Sequence, residues 1–174
     1  MARAYRIFFT TTRCFDWKPL LVQDEYKDII IDSLRYLVLH NRASIFGFVI
    51  MTHHLHLLWK VNEPLKDIQR DFLKFTAQQI LKKLRNEDTQ QLMELWVELR
   101  DRKFQVWARH SLSVPIWSPF VWKQKLGYIH ANPVRAGLCR RQVDYQYSSA
   151  STYMKSRPDW DFITVCPSGH GYIH

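Results

Sequence analysis

Along this chain, short runs of apolar, β-branched and aromatic residues alternate with longer stretches in which apolar positions recur every three or four residues. The two spacings separate strands from helices: side chains alternate across a strand but return to one face of a helix after three or four positions. Residues 5–13, YRIFFTTTR, read as a strand. From Asp24 onward, Tyr26, Ile29, Ile30, Leu34, Leu37 and Val38 mark one face of a helix that Asn41 stops. Residues 43–50, ASIFGFVI, and 54–61, HLHLLWKV, read as two strands joined by Met51-Thr52-His53. So short a link predicts an antiparallel hairpin, because a parallel return needs a dozen or more residues.

Pro64 opens a second helix with Leu65, Ile68, Phe72 and Phe75 as its buried stripe. After the polar NEDTQQ, a shorter helical pattern runs through Leu92, Leu95, Trp96 and Leu99, and residues 103–108, KFQVWA, read as a fourth strand. Ser118-Pro119 is an N-cap and first-turn pair. It predicts a last helix from about Phe120 to about His130, stopped by Asn132-Pro133. The mixture, with a hairpin in its middle, predicts an α+β fold in which helices pack on an antiparallel sheet. A ferredoxin-like or split βαβ arrangement is the simplest topology. One domain over residues 1–153 and a C-terminal tail over 154–174 complete the reading, the final SGHGYIH being poorly ordered.

Composition narrows the classes of function. Of 174 residues 47% are hydrophobic, and seven Trp, eight Tyr and ten Phe argue against disorder. Three widely spaced cysteines exclude a disulfide framework or a cysteine zinc site. No apolar run approaches the roughly 20 residues of a membrane span, and the N-terminus lacks the apolar core of a signal peptide. The expectation is a soluble, cytoplasmic protein with no membrane partner. Twenty-five Lys and Arg against sixteen Asp and Glu leave a net charge of +9, which draws the chain to polyanions. Between residues 101 and 141 stand Arg102, Lys103, Arg109, Lys123, Lys125, Arg135, Arg140 and Arg141, against Asp101 alone. Phe104, Trp107, Trp117, Phe120, Trp122 and Tyr128 are interleaved with them. Cations that track a backbone and rings on which unpaired bases stack are what single-stranded nucleic acid binding uses. The first six of these basic residues are the candidate contacts. The plain alternative is that the rings are core and the charges solvate the surface.

Two constellations carry chemistry. In His54-Leu55-His56 the imidazoles are two apart, so a strand sets them side by side on one face, where they offer two ligands to a divalent cation. Strand alternation sends adjacent His53 to the other face. Tyr128 and Asn132 are four apart, one helical turn from each other. A tyrosine hydroxyl can act as a nucleophile toward phosphorus once activated, and an asparagine carbonyl can complete a His-His-amide metal site. Taken alone, each has an ordinary alternative: polar residues on a sheet face, a core tyrosine, a helix-ending asparagine. Neither residues 51–60 nor residues 120–138 contain an Asp or Glu, which disfavours a metal-dependent hydrolase.

In combination and in this order, MTHHLHLLW at 51–59, LKFTAQQI at 73–80, YIHANPVRAGL at 128–138 and YSSAS at 147–151 resemble the REP-associated tyrosine transposases. These are a branch of the single-tyrosine HUH transposases, and the resemblance spans residues 5–153. It implies a ferredoxin-like fold, His54 and His56 as metal ligands and Tyr128 as nucleophile. Asn132 falls where related transposases carry a glutamine ligand. It also implies Mg²⁺ or Mn²⁺ as cofactor and hairpin-bearing single-stranded DNA as partner, cleaved and rejoined through a 5′-phosphotyrosine link, by a monomer or a homodimer. Thr52 and His53 depart from the family's usual Pro and Asn, and Asn132 is one methylene shorter than the glutamine. The rival expectation is a non-catalytic basic module that binds single strands.

Overall fold

A computed structural model describes residues 6–155 and 159–166. Strand β1 (Ile7–Arg13) leads through a short 3₁₀ turn at Phe15–Trp17 to helix α1 (Asp24–Leu39). Strands β2 (Ala43–Ile50) and β3 (His54–Val61) follow, then helices α2 (Leu65–Glu87) and α3 (Thr89–Glu94). Strands β4 (Trp96–Leu99), β5 (Arg102–Phe104) and β6 (Leu112–Pro115) precede helices α4 (Pro119–Arg135) and α5 (Ala150–Met154). The main sheet has the order β2-β3-β1-β6 with every neighbouring pair antiparallel. With α1 and α2 as crossovers this is the ferredoxin-like arrangement that the sequence predicts. The β2–β3 hairpin has the expected bounds.

Both faces of the sheet are covered. On one face Leu55, Leu57 and Trp59 of β3 join Tyr26, Ile30 and Leu34 of α1 and Ile68 and Phe72 of α2. On the other, Ile7, Phe9 and Leu58 join Trp122, Leu126 and Ile129 of α4. A bulge in β2 supplies the switch in parity that this needs. Trp59 pairs with Ile45 but Leu58 with Gly47, so Phe46 is an extra residue. Ala43 and Ile45 before it, and Phe48 and Ile50 after it, therefore all face α1. Gly47 lies under α4, where an added Cβ would stand 2.7 Å from Leu126 Cδ1. The absence of a side chain there lets the helix come down onto the strand.

The YSSAS segment then ties α4 to the sheet. Ser149 Oγ accepts from Phe48 N at 3.0 Å and lies 2.9 Å from His130 Nε2, while Ile50 N donates to Tyr147 O at 2.9 Å. The free edge of β2 is thereby closed. Residues 159–166, which the sequence reading assigns to the tail, return to the sheet. Ile163 bridges to Ile45, Phe162 stacks on Phe48 with ring centroids 5.8 Å apart, and Trp122 Nε1 donates to Cys166 O at 2.9 Å. The expected disorder of SGHGYIH lies outside the described residues.

Four expectations change. The fourth strand of the main sheet is Leu112–Pro115, not 103–108. Its proline is tolerated because β6 is an edge strand. Residues 103–108 divide instead: Lys103 and Phe104 belong to the separate β4–β5 hairpin, while Trp107 bridges to Cys14. The helix expected through Leu99 ends at Glu94, and Trp96 turns to pack on Phe104, ring centroids 5.3 Å apart. Phe75 is half exposed, and the buried stripe of α2 is Ile68, Phe72, Thr76, Ile80 and Leu84.

Finally, Asn132-Pro133 does not stop α4, which runs to Arg135. The helix closes at Gly137, φ 73°, where Leu138 N donates to Pro133 O and Gly137 N to Val134 O. That bond pair is the glycine stop that a left-handed residue makes possible.

Candidate active site

The candidate site lies between the α4 face of the sheet and α4 itself. Register places Thr11 opposite His56 and Arg13 opposite His54. These four side chains share one face, as strand alternation requires. The His54 and His56 rings are 4.7 Å apart. His56 is buried and stacks on Phe9 at 5.3 Å. Its Nδ1 meets the Thr11 hydroxyl at 2.8 Å, which fixes the ring and leaves Nε2 facing the site.

Tyr128 stands on the flank of α4, its ring 5.2 Å from that of His56 and 5.9 Å from that of Phe9. At 39% exposure its edge is open to solvent. Because α4 continues through Pro133, Asn132 keeps its place one turn beyond Tyr128, and its side chain lies against His54. The structure thus brings His54, His56, Tyr128 and Asn132 together.

Burial pushes His56 down to about 3, helped by repulsion from His54 and Lys125. His54 falls to about 4, again through burial first and then His53, with Asn132 working the other way. Both imidazoles are therefore neutral at physiological pH, the form that binds a metal. His54 Nδ1 and His56 Nε2 are buried without a hydrogen-bond partner. A buried polar atom left so is costly unless something satisfies it. Two orphaned ring nitrogens beside an amide fit a divalent cation. Among the described residues, no group of three or more His, Cys, Asp or Glu is placed to hold a metal, so the donor set here is two imidazoles and an amide.

The basic candidates divide. Lys125 lies 4.8 Å over the Phe9 ring and Arg135 5.7 Å over the Tyr128 ring, so two cations flank the hydroxyl-bearing side chain. Lys123 is exposed on the same helix. Arg102 and Lys103 belong to the β4–β5 hairpin, where Arg102 is paired with Asp101 at 2.6 Å. Arg109 is exposed one residue past Ala108, whose N–H donates to Arg13 O at 2.8 Å, so it stands near the His54 end of the site. In the tail, Lys155 pairs with Asp159 at 3.3 Å. Sequence reasoning missed Thr11 and Arg13. Their alternation within TTTR is visible, but the face they share with the histidines depends on the β1–β3 register.

The buried histidines set a pH dependence. His130, buried on Ser149, is pushed down to about 4 by burial, alongside His54 and His56. Each binds a proton in the unfolded chain near pH 6.5 but not in the folded one, so stability rises with pH between about 4 and 6.5. The contribution is complete above 6.5 and is lost as pH falls toward the folded values. With chelator present, the urea midpoint should fall from pH 7 to pH 5, buried His56 and His130 each contributing at most about 1.4 kcal/mol per pH unit and the more exposed His54 less. A midpoint unchanged over that range would contradict these assignments.

No protein-family model and no curated protein matches the chain. Comparison of structures shows that the α+β sheet with packed helices is a fold shared with solved structures. One similar structure is that of a REP-associated tyrosine transposase bound to a REP hairpin, with a TM-score of 0.63 and 17% identity over 100% of this chain and 98% of that one. A proposed transposase from Deinococcus radiodurans R1 has a TM-score of 0.46 and 15% identity over 74% of this chain and 92% of that one. Among the described residues, no helix is long and apolar enough to cross a membrane.

Proposed function

We propose that this protein is a DNA strand transferase of the REP-associated tyrosine transposase kind, acting on hairpin-bearing single strands. The observation that carries the reading is the meeting of Tyr128 with His56 beneath two orphaned imidazole nitrogens and Asn132. The shared fold with a hairpin-bound transposase supports it.

In this reading the DNA backbone enters between Lys125 and Arg135, which hold the scissile phosphate beside Tyr128. The Tyr128 oxygen attacks phosphorus in line. A tyrosine O–P bond forms as the bond to the 3′ oxygen breaks, and that oxygen takes a proton to become a 3′-hydroxyl while the tyrosine proton leaves to solvent. The phosphodiester bond energy is kept in the 5′-phosphotyrosine link, so a second 3′-hydroxyl reverses the step and joins new strands. His54, His56 and the Asn132 amide oxygen would hold Mg²⁺ or Mn²⁺, whose Lewis acidity favours charge build-up at the phosphate. Thr11 keeps His56 Nε2 turned to that position.

Incubating the protein with labelled hairpin-bearing single strands and Mg²⁺, followed by a denaturing gel, tests the reading. A covalent shifted band is the expected result. Released fragments without a band would mean hydrolysis, and intact DNA would mean a binding module; either overturns the proposal.

A further inference from the structure

The end of β1 carries a cluster that this cleavage chemistry does not use. After Cys14 two successive non-glycine residues adopt left-handed backbone angles, Asp16 at φ 53° and Trp17 at φ 55°. Side chains rarely accept that conformation, and it persists only where the surroundings impose it. Here they do. Cys14 N donates to His53 O, Leu21 N to Thr52 O and Phe15 N to Val106 O, each at 2.8 Å, so the loop is laced to the turn that precedes His54 and to the segment before Trp107.

The strain sets the indole of Trp17 outward, 54% exposed. The Arg13 guanidinium lies 4.6 Å over its ring, and the His53 ring is 5.3 Å away. His53 is in turn 4.6 Å from His54. Tyr128, His56, His54, His53 and Trp17 therefore form one unbroken row of ring contacts. His53, expected on the wrong face, is the link. A single exposed aromatic needs no explanation. One held by a strained loop, topped by a cation and joined to the active site does.

We infer that Trp17 is a stacking platform for an unpaired nucleobase of the strand bound at the active site, with Arg13 taking the phosphate beside that base. The inference rests on the single-strand reading above and extends it from the reacting phosphate to the flanking nucleotide. Every base has a π face, so an indole accepts any of them, and a guanidinium beside the ring serves the phosphate of the same nucleotide. The strand would run along the row of rings, from Tyr128 at one end to Trp17 at the other.

The probes are a short labelled oligothymidine strand and a strand of equal length whose sugars carry no bases, compared by fluorescence anisotropy. Trp17→Asn removes the ring while keeping a residue that tolerates the left-handed backbone. It should weaken oligothymidine binding about 5- to 100-fold and leave the baseless strand unaffected. Trp17→Phe should retain most of the preference for bases and Trp17→Leu should not, which separates stacking from any effect on the fold. If Trp17→Asn and Trp17→Leu keep the wild-type preference, the platform is overturned while the single-strand reading stands. If the wild-type protein binds neither strand, the single-strand reading fails and takes the platform with it.

Discussion

Tyr128→Phe is expected to abolish the covalent protein–DNA band altogether, while binding of the single strand stays within a few-fold of wild type. The substitution removes one oxygen and keeps the ring, so the contacts to His56, Phe9 and Arg135 survive. The side chain is 39% exposed, and loss of its hydroxyl leaves no fully buried group unsatisfied. Folding should therefore be close to unchanged, which a thermal melt checks. What disappears is the atom proposed to bond phosphorus. A shifted band that persists in Tyr128→Phe on a denaturing gel would sink the assignment of the nucleophile.

The second large effect is expected at the histidines. His54→Ala or His56→Ala should remove cation-dependent cleavage. Mn²⁺ affinity, measured by calorimetry without DNA, should drop by more than the 10- to 100-fold typical of losing a residue that merely orients a ligand. Stability gives the contrast that separates a ligand from a core residue. In the metal-free protein His56 Nε2 is buried and unpartnered, a cost of about 1–3 kcal/mol. His56→Leu relieves that cost and keeps an apolar contact with Phe9. Because it also removes the bond to Thr11, the chelated protein should stay within about 1 kcal/mol of wild type, yet be inactive. Cleavage by His56→Ala at the wild-type rate in excess Mg²⁺ would count decisively against the site.

The parts of this arrangement that a sequence displays are those set by local periodicity. The pairing of His54 with His56 follows from the repeat of a strand, and that of Tyr128 with Asn132 from the turn of a helix. The β2–β3 hairpin, from its short link, and the helix after Asp24, from its apolar face, are legible in the same local way. The remainder depends on contacts between distant segments. Nothing local says that α4 covers the histidine face rather than the opposite one; that follows from Leu126, Ile129 and the vacancy at Gly47. The bulge at Phe46 breaks the alternation within ASIFGFVI, so its two faces cannot be sorted by counting. Asn132-Pro133 carries the mark of a helix end, but Gly137 supplies the stop instead. Arg102 and Lys103 lie in the charged stretch with Lys125, yet the fold puts them on a separate hairpin. Charge counted along the chain said which ligand class to expect, and only the packing said which of the charges meet at the tyrosine.

The β2–β3 hairpin has one more consequence, and it concerns time. Its strands are joined by three residues and registered by Met51 N donating to His54 O at 2.8 Å, so closing it requires only a short loop. Bringing α4 onto the sheet requires ordering a far longer stretch of chain, and contacts of that range form slowly. During folding the histidine pair should thus acquire its spacing well before the tyrosine reaches it. A half-folded chain would carry the imidazole pair without Tyr128, and the candidate site would be the last part of the molecule to mature.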